Sequence, residues 1–285
     1  MDTLRSTYHK KTNHTAWQKL LRDKATNKEG LSGWWSNANI SLEAAKVREC
    51  DIQTARNIIL KYEWLGTMPP GVRFCTGLFF DNWACGGVAV FGSGAGVNTK
   101  YMLGVQDAEI AYLARGACSH WTPPGSASKL IGHTLRLLAK KGYKVAIAYS
   151  DSDAGEIGTV YQATNWLCIG KGAATSQLIH PTTGRVYDMK TTGNIRKRLK
   201  NSVSWSDIHT ELLASGFREQ KSNPKWRYIY ILDRGEAGRL IYEKMKPLIV
   251  PYPKRLKDSS ELSAIHAEEG GAAPTQTLHS RAVTL

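Results

Sequence analysis

Tyr149, Ser150 and Asp151 come directly after an apolar run, Val145-Ala146-Ile147-Ala148. A phenol, a hydroxyl and a carboxylate thus reach one place in the chain. If the run is a strand, they stand at its C-terminal end, where open α/β sheets bind their ligands. Tyr149 and Asp151 can then act as general acid and general base. Asp151, or Asp153 after it, serves equally well as the cap of a following turn. Spacing does not separate these readings. Further on, Tyr161 and Asn165 lie four apart and would share one face of a helix. With Gln162 they suit the reading of a base or the holding of a leaving group, while Trp166 suits a core equally. Upstream, Tyr62-Glu63-Trp64 closes a helical pattern. Glu63 is a second candidate base, although an acid at a helix end is commonly just solvated.

A different chemistry is suggested by Pro123-Pro124-Gly125-Ser126-Ala127-Ser128. This loop leads from a strand-like run into a helix. The free N–H groups of a helix N-terminus bind anions, and Lys129 adds charge nearby. An ordinary strand-to-helix turn reads the same way. His120 and His133 have no HxxxH or HxxE partner, and the five cysteines show no CxxC pair, so spacing supports no metal site. The scattered, odd cysteine count fits a reducing compartment. GxxxxGK[ST] and GxSxG are absent, and Phe91-Gly92-Ser93-Gly94-Ala95-Gly96 lacks the GxGxxG arrangement.

The elements that must hold these residues follow from periodicity. A helix in two pieces is expected from Leu42 to Tyr62, with Asp51 capping the second and Ala55, Ile58, Ile59 and Tyr62 at helical spacing. Arg73–Phe80 and Cys85–Phe91 read as a β-hairpin, and Ala108–Cys118 as a third strand. Ser126–Lys141 reads as a helix burying Leu130, Ile131, Thr134, Leu135 and Leu138. Tyr143–Tyr149 reads as a buried strand, Gly158–Trp166 as a short helix and Leu167–Ile169 as a strand. Later strands are expected at Thr175–Ile179, Arg185–Met189 and Trp226–Leu232, with a helix capped by Ser206. The order predicts an α/β fold with a mixed central sheet, helices on both faces and one right-handed crossover. Residues 1–40 read as a basic N-terminal arm, 41–257 as the catalytic domain and 258–285 as a disordered tail.

Lys and Arg exceed Asp and Glu by 38 to 24 in 285 residues, a formal net charge of +14. Such a chain attracts polyanions over long range. Its C-terminal half interleaves aromatics with Arg196, Arg198, Arg227 and other basic residues, a pattern that suits phosphates and splayed bases but also a solvated face. No stretch approaches twenty apolar residues and Met1–Thr12 has no apolar core, so neither a membrane helix nor a secretory signal is expected and the cytoplasm is the expected location.

The residues just described also resemble a known family. Glu109–Arg115, His120 with Pro124 and Ser128, Arg136-Leu137-Leu138, Tyr149-Ser150-Asp151 and above all Tyr161-Gln162-Ala163-Thr164-Asn165-Trp166 look like the bacteriophage Mom family of DNA-modification proteins. Tyr62-Glu63-Trp64-Leu65-Gly66 and Pro251-Tyr252-Pro253-Lys254 extend the likeness, which spans roughly residues 62–255. The resemblance implies a GNAT-like acyltransferase architecture. It also implies conversion of the adenine amino group in double-stranded DNA to a carbamoylmethyl derivative, protecting phage DNA from host restriction. Carried over, it puts Tyr149 and Asp151 in the active site, with Tyr62 and Ser128 nearby; Tyr62 and the candidate base Glu63 are counted with the catalytic residues. The donor falls to Gly125, Ser126, Ala127 and Ser128. Substrate contacts fall to Ser150, Tyr161, Gln162, Asn165, Arg115, Arg196, Arg198 and Arg227. Acetyl-CoA or a related small-molecule acyl donor fits such a fold, no metal ligand is assigned, and iron is not excluded. Lys61 stands where members commonly have His, and the Pro-Gly-Ser-Ala-Ser loop differs from the Gln/Arg-x-x-Gly-x-Gly/Ala of acetyltransferases. Two other functions suit the same sequence: an N-acetyltransferase acting on a protein or small molecule, and a catalytically inactive DNA-binding protein.

Overall fold

The run that ends in Tyr149 and Ser150 is a strand near the middle of a seven-stranded sheet. The computed structural model describes residues 40–81, 84–92, 97–184, 186–188 and 205–254. The expected N-terminal arm, the expected tail, the Gly-rich residues 93–96, and Arg196 and Arg198 lie outside them. In chain order the first elements are β1 (Lys46–Glu49), α1 (Ile52–Tyr62), β2 (Val72–Phe79), β3 (Cys85–Gly92), α2 (Val97–Leu103) and β4 (Ile110–Cys118). Next come α3 (Ser126–Lys140), β5 (Val145–Ser150), α4 (Thr159–Ala163), β6 (Leu167–Lys171), β7 (Ser176–Ile179) and β8 (Val186–Asp188). The last are α5 (Trp205–Ala214), β9 (Arg218–Lys221), β10 (Trp226–Ile231) and α6 (Glu236–Met245). The main sheet runs β1-β2-β3-β4-β5-β10-β6, and β8-β7-β9 form a second, three-stranded sheet. Contacts group the residues up to Pro253 in one unit and those from Lys254 on in another.

All pairs of the main sheet are antiparallel except β4 with β5, which α3 joins in parallel. The sheet is therefore mixed, with helices on both faces, as expected. On one face Leu130, Ile131, Leu135 and Leu138 of α3 pack on Leu78, Phe91, Leu113, Ala148 and Tyr228. On the other, α1 covers β2–β4 through Ala55, Ile58, Ile59 and Tyr62, and α2 and α6 cover β5 and β10 through Leu103, Ile241 and Met245. Each Leu or Ile so buried contributes about 2 kcal/mol. Thr134, polar yet on the buried stripe of α3, is satisfied: its Oγ1 donates to Leu130 O at 2.8 Å and lies 2.6 Å from Thr76 Oγ1.

The first half of the expected Leu42–Tyr62 helix is a strand instead. The outer edge of β2 needs hydrogen-bond partners, which Lys46–Glu49 supply against Thr76–Phe79. Arg48 lays its guanidinium 3.9 Å over the Phe79 ring. The helix begins where Asp51 caps it, accepting from Thr54 N at 2.7 Å. The expected Gly158–Trp166 helix is also shorter. It ends at Ala163, and Asn165 turns the chain in the left-handed region with φ 61°. Asn165 thus does not share a helix face with Tyr161.

Gly158 starts α4 with φ 73°, and a Cβ there would come within 2.4 Å of the Tyr228 ring. That ring is fully buried and its hydroxyl donates to Ile157 O at 2.6 Å. Gly158→Ala therefore combines backbone strain with displacement of a core aromatic. We expect a loss of more than about 1 kcal/mol, read as a lowered denaturation midpoint.

Candidate active site

The site begins with a failure of strand pairing. β4 and β5 pair from Ile110 with Val145 to Leu113 with Ala148 and then part. β4 continues to Cys118 against β3 alone, and β5 continues to Ser150 against β10 alone. The register between β3 and β4 slips between Val90/Arg115 and Phe91/Leu113, which leaves Ala114 as a bulge. Bulges bend a strand and increase its twist, so this one opens a fork between two parallel strands. β4 beyond the bulge keeps one edge without a strand partner among the described residues. Arg115, just past the bulge, donates from Nε to Thr67 O at 3.0 Å and so holds the loop after α1 against this edge.

Groups from both sides of the sheet meet at the fork. From the α1 side come Tyr62 and Glu63, which are 5 % and 6 % exposed. Tyr62 packs its ring 5.7 Å from that of His120, just past β4. Glu63 Oε2 accepts from Gly66 N at 2.9 Å. From the end of β5 come Asp151 and Glu156, and from α4 comes Tyr161. The charges of Glu63 and Asp151 both act on Glu156, and those of Glu156 and Glu63 on Tyr161. Tyr112 of β4 stacks edge-on against Tyr149 at 5.9 Å.

Asp151 caps the turn that follows it and also forms an ion pair. Its Oδ1 accepts from Asp153 N at 3.0 Å as the cap of the 3-10 turn Ser152–Ala154. Its Oδ2 pairs with Lys225 Nζ at 2.7 Å, where the carboxylate is nearly buried and the ammonium is not. Two more contacts bind the same turn to the same segment. Asn223 Nδ2 donates to Asp153 Oδ1 at 2.6 Å, and Ser152 Oγ donates to Pro224 O at 3.3 Å.

The titration of the cluster follows from its surroundings. Glu156 keeps some contact with solvent, yet the protein around it is dense enough for burial to be the first cause of its shift. The charges of Glu63 and Asp151 add to burial, Lys225 opposes it, and the carboxyl is pushed up to about 8. It is thus poised to give or take a proton near neutrality. Burial and then Glu156 raise the Tyr161 phenol far above the ordinary phenol range, so it stays a neutral donor. Tyr161 is held between Trp166 and Tyr228, with ring centroids at 5.2 and 5.1 Å. Burial also raises Tyr149, opposed by Arg227 across the β5–β10 pair and by a hydrogen bond with Thr99. The NH2 group of Arg227 donates to Ile169 O at 2.9 Å.

Other expected site residues do different work. Ser150 is buried and its Oγ donates to Glu156 O at 2.9 Å, which shapes the loop. Gln162 donates to Ile157 O, Tyr228 Oη and Pro253 O, which ties α4 in place. Asn165 lines a cavity of about 350 Å³ with Tyr230, Arg234 and Tyr242, at the far end of β10 from Lys225. The α3 start is also not built as expected. Ser126 Oγ donates to Pro123 O at 2.7 Å, and a Cβ on Gly125 would come within 3.2 Å of Leu42. Lys129 Nζ donates to Leu42 O and Glu43 O at 2.6 and 2.8 Å, so its charge pins residues 42–43 and does not stand ready for an anion. Ala127 and Ser128 follow in the first turn of α3. Among the described residues no three His, Cys, Asp or Glu side chains are grouped to hold a metal, and no helix is long and apolar enough to cross a membrane.

Glu156 and Tyr112 escaped the sequence reading as site residues, and Lys225 was read only among the basic residues of the C-terminal half. Glu156 offers no spacing signature. Gly155 and Gly158, which flank it in the left-handed region, mark a loop tightly turned around it and were the available signal.

The Mom protein family profile matches residues 44–254. No curated protein matches the chain. Among solved structures, the ribosomal-protein-S18-alanine N-acetyltransferase from Escherichia coli is similar, with 10% identity, a TM-score of 0.38, and 67% of this chain and 97% of that one covered. An acetyltransferase from Bacillus subtilis in complex with CoA has 9% identity and a TM-score of 0.35, covering 66% and 97%. FeeM, an N-acyl amino acid synthase from uncultured soil microbes, has 16% identity and a TM-score of 0.36, covering 66% and 91%.

The Glu156 carboxyl holds its proton up to about pH 8 when folded, against 4.5 ordinarily. Between those values the folded state binds the extra proton, so stability falls as pH rises through the window. The slope approaches about 1.4 kcal/mol per pH unit. Glu156→Gln is expected to flatten it, which thermal unfolding of both proteins across the window measures.

Proposed function

The chain belongs to the Mom protein family, and from that premise we propose that it modifies DNA, converting the N6-amino group of adenine to a carbamoylmethyl-type derivative. The observation that carries the reading is the fork. A sheet opened between parallel strands has, at its end, a carboxylate paired with a lysine, a carboxyl that titrates near neutrality and a neutral phenol. Substitution of an amine needs an acceptor for the amine proton and a donor toward the leaving group. Those are the two roles a carboxyl and a phenol fill.

In this reading adenine leaves the base stack, because its amino group is paired in the duplex. Asp151, held by Lys225, orients the amine or accepts its proton, with Glu156 and Glu63 behind it. Tyr161 supplies a hydrogen bond from its phenol, and Tyr149 and Tyr62 line the approach. A small-molecule acyl-type donor, with acetyl-CoA as the reference, would lie in the fork between β4 and β5 beyond Ala114. Its carbon, the methylene for a carbamoylmethyl product, would bond to the amine nitrogen as that carbon's bond to the leaving group breaks, and the amine proton would pass to the carboxylate. Leu42 and Lys129 fill the start of α3, so Gly125, Ser126, Ala127 and Ser128 can hold only part of that donor.

The net charge of +14 serves the approach to DNA. Arg218 and Lys221 are exposed on β9, in the segment that returns to the site through Asn223 and Lys225. Arg196 and Arg198 belong to the same segment, and Arg115 and Arg227 lie beside the fork itself.

Hydrolysed DNA from cells expressing the protein is expected to contain a heavier adenine nucleoside by mass spectrometry. Asp151→Ala is expected to lower its yield at least about a hundredfold. Unshifted adenine with soluble wild-type protein present overturns the reading.

A further inference from the structure

The short turn between Glu63 and Thr67 is fastened to the fork at both ends. At its start Glu63 is buried and acts on Glu156 and Tyr161 inside the opening. At its end Thr67 accepts from Arg115, the β4 residue just past the bulge. Between them Gly66, with φ 58°, donates from N to both Glu63 O at 3.1 Å and Glu63 Oε2 at 2.9 Å. The turn is thus held by its own hydrogen bonds as well as by the fork. At its apex Leu65 is 38 % exposed, while Tyr62 and Glu63 beside it are buried. Three residues between two fixed ends cannot stray far from them, so Leu65 lies at the lip of the fork on the side that α1 covers.

A base taken from a duplex leaves a hole in the stack, and proteins that distort DNA commonly fill such gaps with an apolar side chain. We propose that Leu65 is that side chain: an apolar wedge, set on a rigid turn, that enters the duplex and holds the target adenine extrahelical in the fork. The proposal rests on the DNA-modifying reading above. A preformed turn loses little conformational freedom when the wedge is inserted. A leucine carries no charge to be desolvated in the stack.

The wedge is needed only where a base must be displaced. Duplex and single-stranded DNA are therefore compared in an extract of cells whose own DNA the wild-type protein modifies, so that the donor is present. Each variant is added back and modified adenine is counted by mass spectrometry. Leu65→Ala is expected to lower modification of the duplex about tenfold or more, given an unstacking cost of a few kcal/mol, and to leave the single strand unchanged. Leu65→Met restores the duplex. Tyr101→Ala, which removes a more exposed aromatic on α2 (71 %), leaves the ratio of the two substrates as in wild type. An equal fall on both substrates for Leu65→Ala, no fall on either, or a duplex-specific loss for Tyr101→Ala alone overturns the wedge while leaving the DNA-modifying reading standing. Wild-type protein that modifies neither DNA form overturns that reading and the wedge with it.

Discussion

Two parallel strands that stop pairing after four residues create the constraint on which the rest of the molecule depends. A buried sheet edge normally requires a partner for each N–H and C=O. β4 pairs with β3 from Tyr112 to Cys118, with Ala114 bulged, and with β5 from Ile110 to Leu113. The Ala114 bulge makes the departure local, because one extra residue bends the strand without interrupting β3. Everything that follows in space is an answer to the opening. Tyr62 and Glu63 close it from one face, the loop after β5 and α4 close it from the other, and β10 supports the free end of β5. The helices on both faces bury enough apolar surface to hold the two strands apart.

The chemistry of the opening comes from crowding like charges and then compensating one of them. Glu63 and Asp151 both act on Glu156, whose ionisation burial disfavours, and Lys225 pairs with Asp151 at 2.7 Å. The asymmetry separates the roles. One carboxylate has a cation, and another rises toward neutrality because it is buried and, secondarily, has neighbours of its own sign. Removing Lys225 would leave a nearly buried carboxylate without its cation, which is costlier than never having formed the pair. The three tyrosines around the cluster, Tyr112, Tyr149 and Tyr161, are all held neutral by burial.

Much of the scaffold was legible in the sequence because its periods are strong. The α3 stripe from Leu130 to Leu138, the apolar β5 and the β2–β3 hairpin each repeat a pattern whose physical cause is burial on one or both faces. Residues 46–49 were misread as helix because the tendency of Ala44-Ala45 to start one was local. The demand of the β2 edge for a partner was not local. In the site, Tyr149 and Asp151 were legible from their place after a buried strand, and Glu63 from its place at a helix end. Glu156 and Lys225 were not, since what matters about them is which charges they meet across the fold. The engagement of Lys129 at the α3 start was hidden for the same reason. Lys129 adds charge there, but the carbonyls that take it up lie 86 and 87 residues away in the chain.

The segment from Gly172 to Lys225 leaves the main sheet after Lys171 and returns at Trp226, and those two residues are register partners. Gly172 N donates to Lys225 O at 2.8 Å, closing the neck beneath them. Seen from the main sheet, fifty-odd residues with their own small sheet and helix amount to one hairpin turn. Their length is almost free to vary, since closing a longer loop adds cost only logarithmically. The last residues of the excursion, Asn223 to Lys225, are the ones that clasp Asp151, Ser152 and Asp153. Variation can thus remodel this excursion while its final three residues stay tied to Asp151, Ser152 and Asp153.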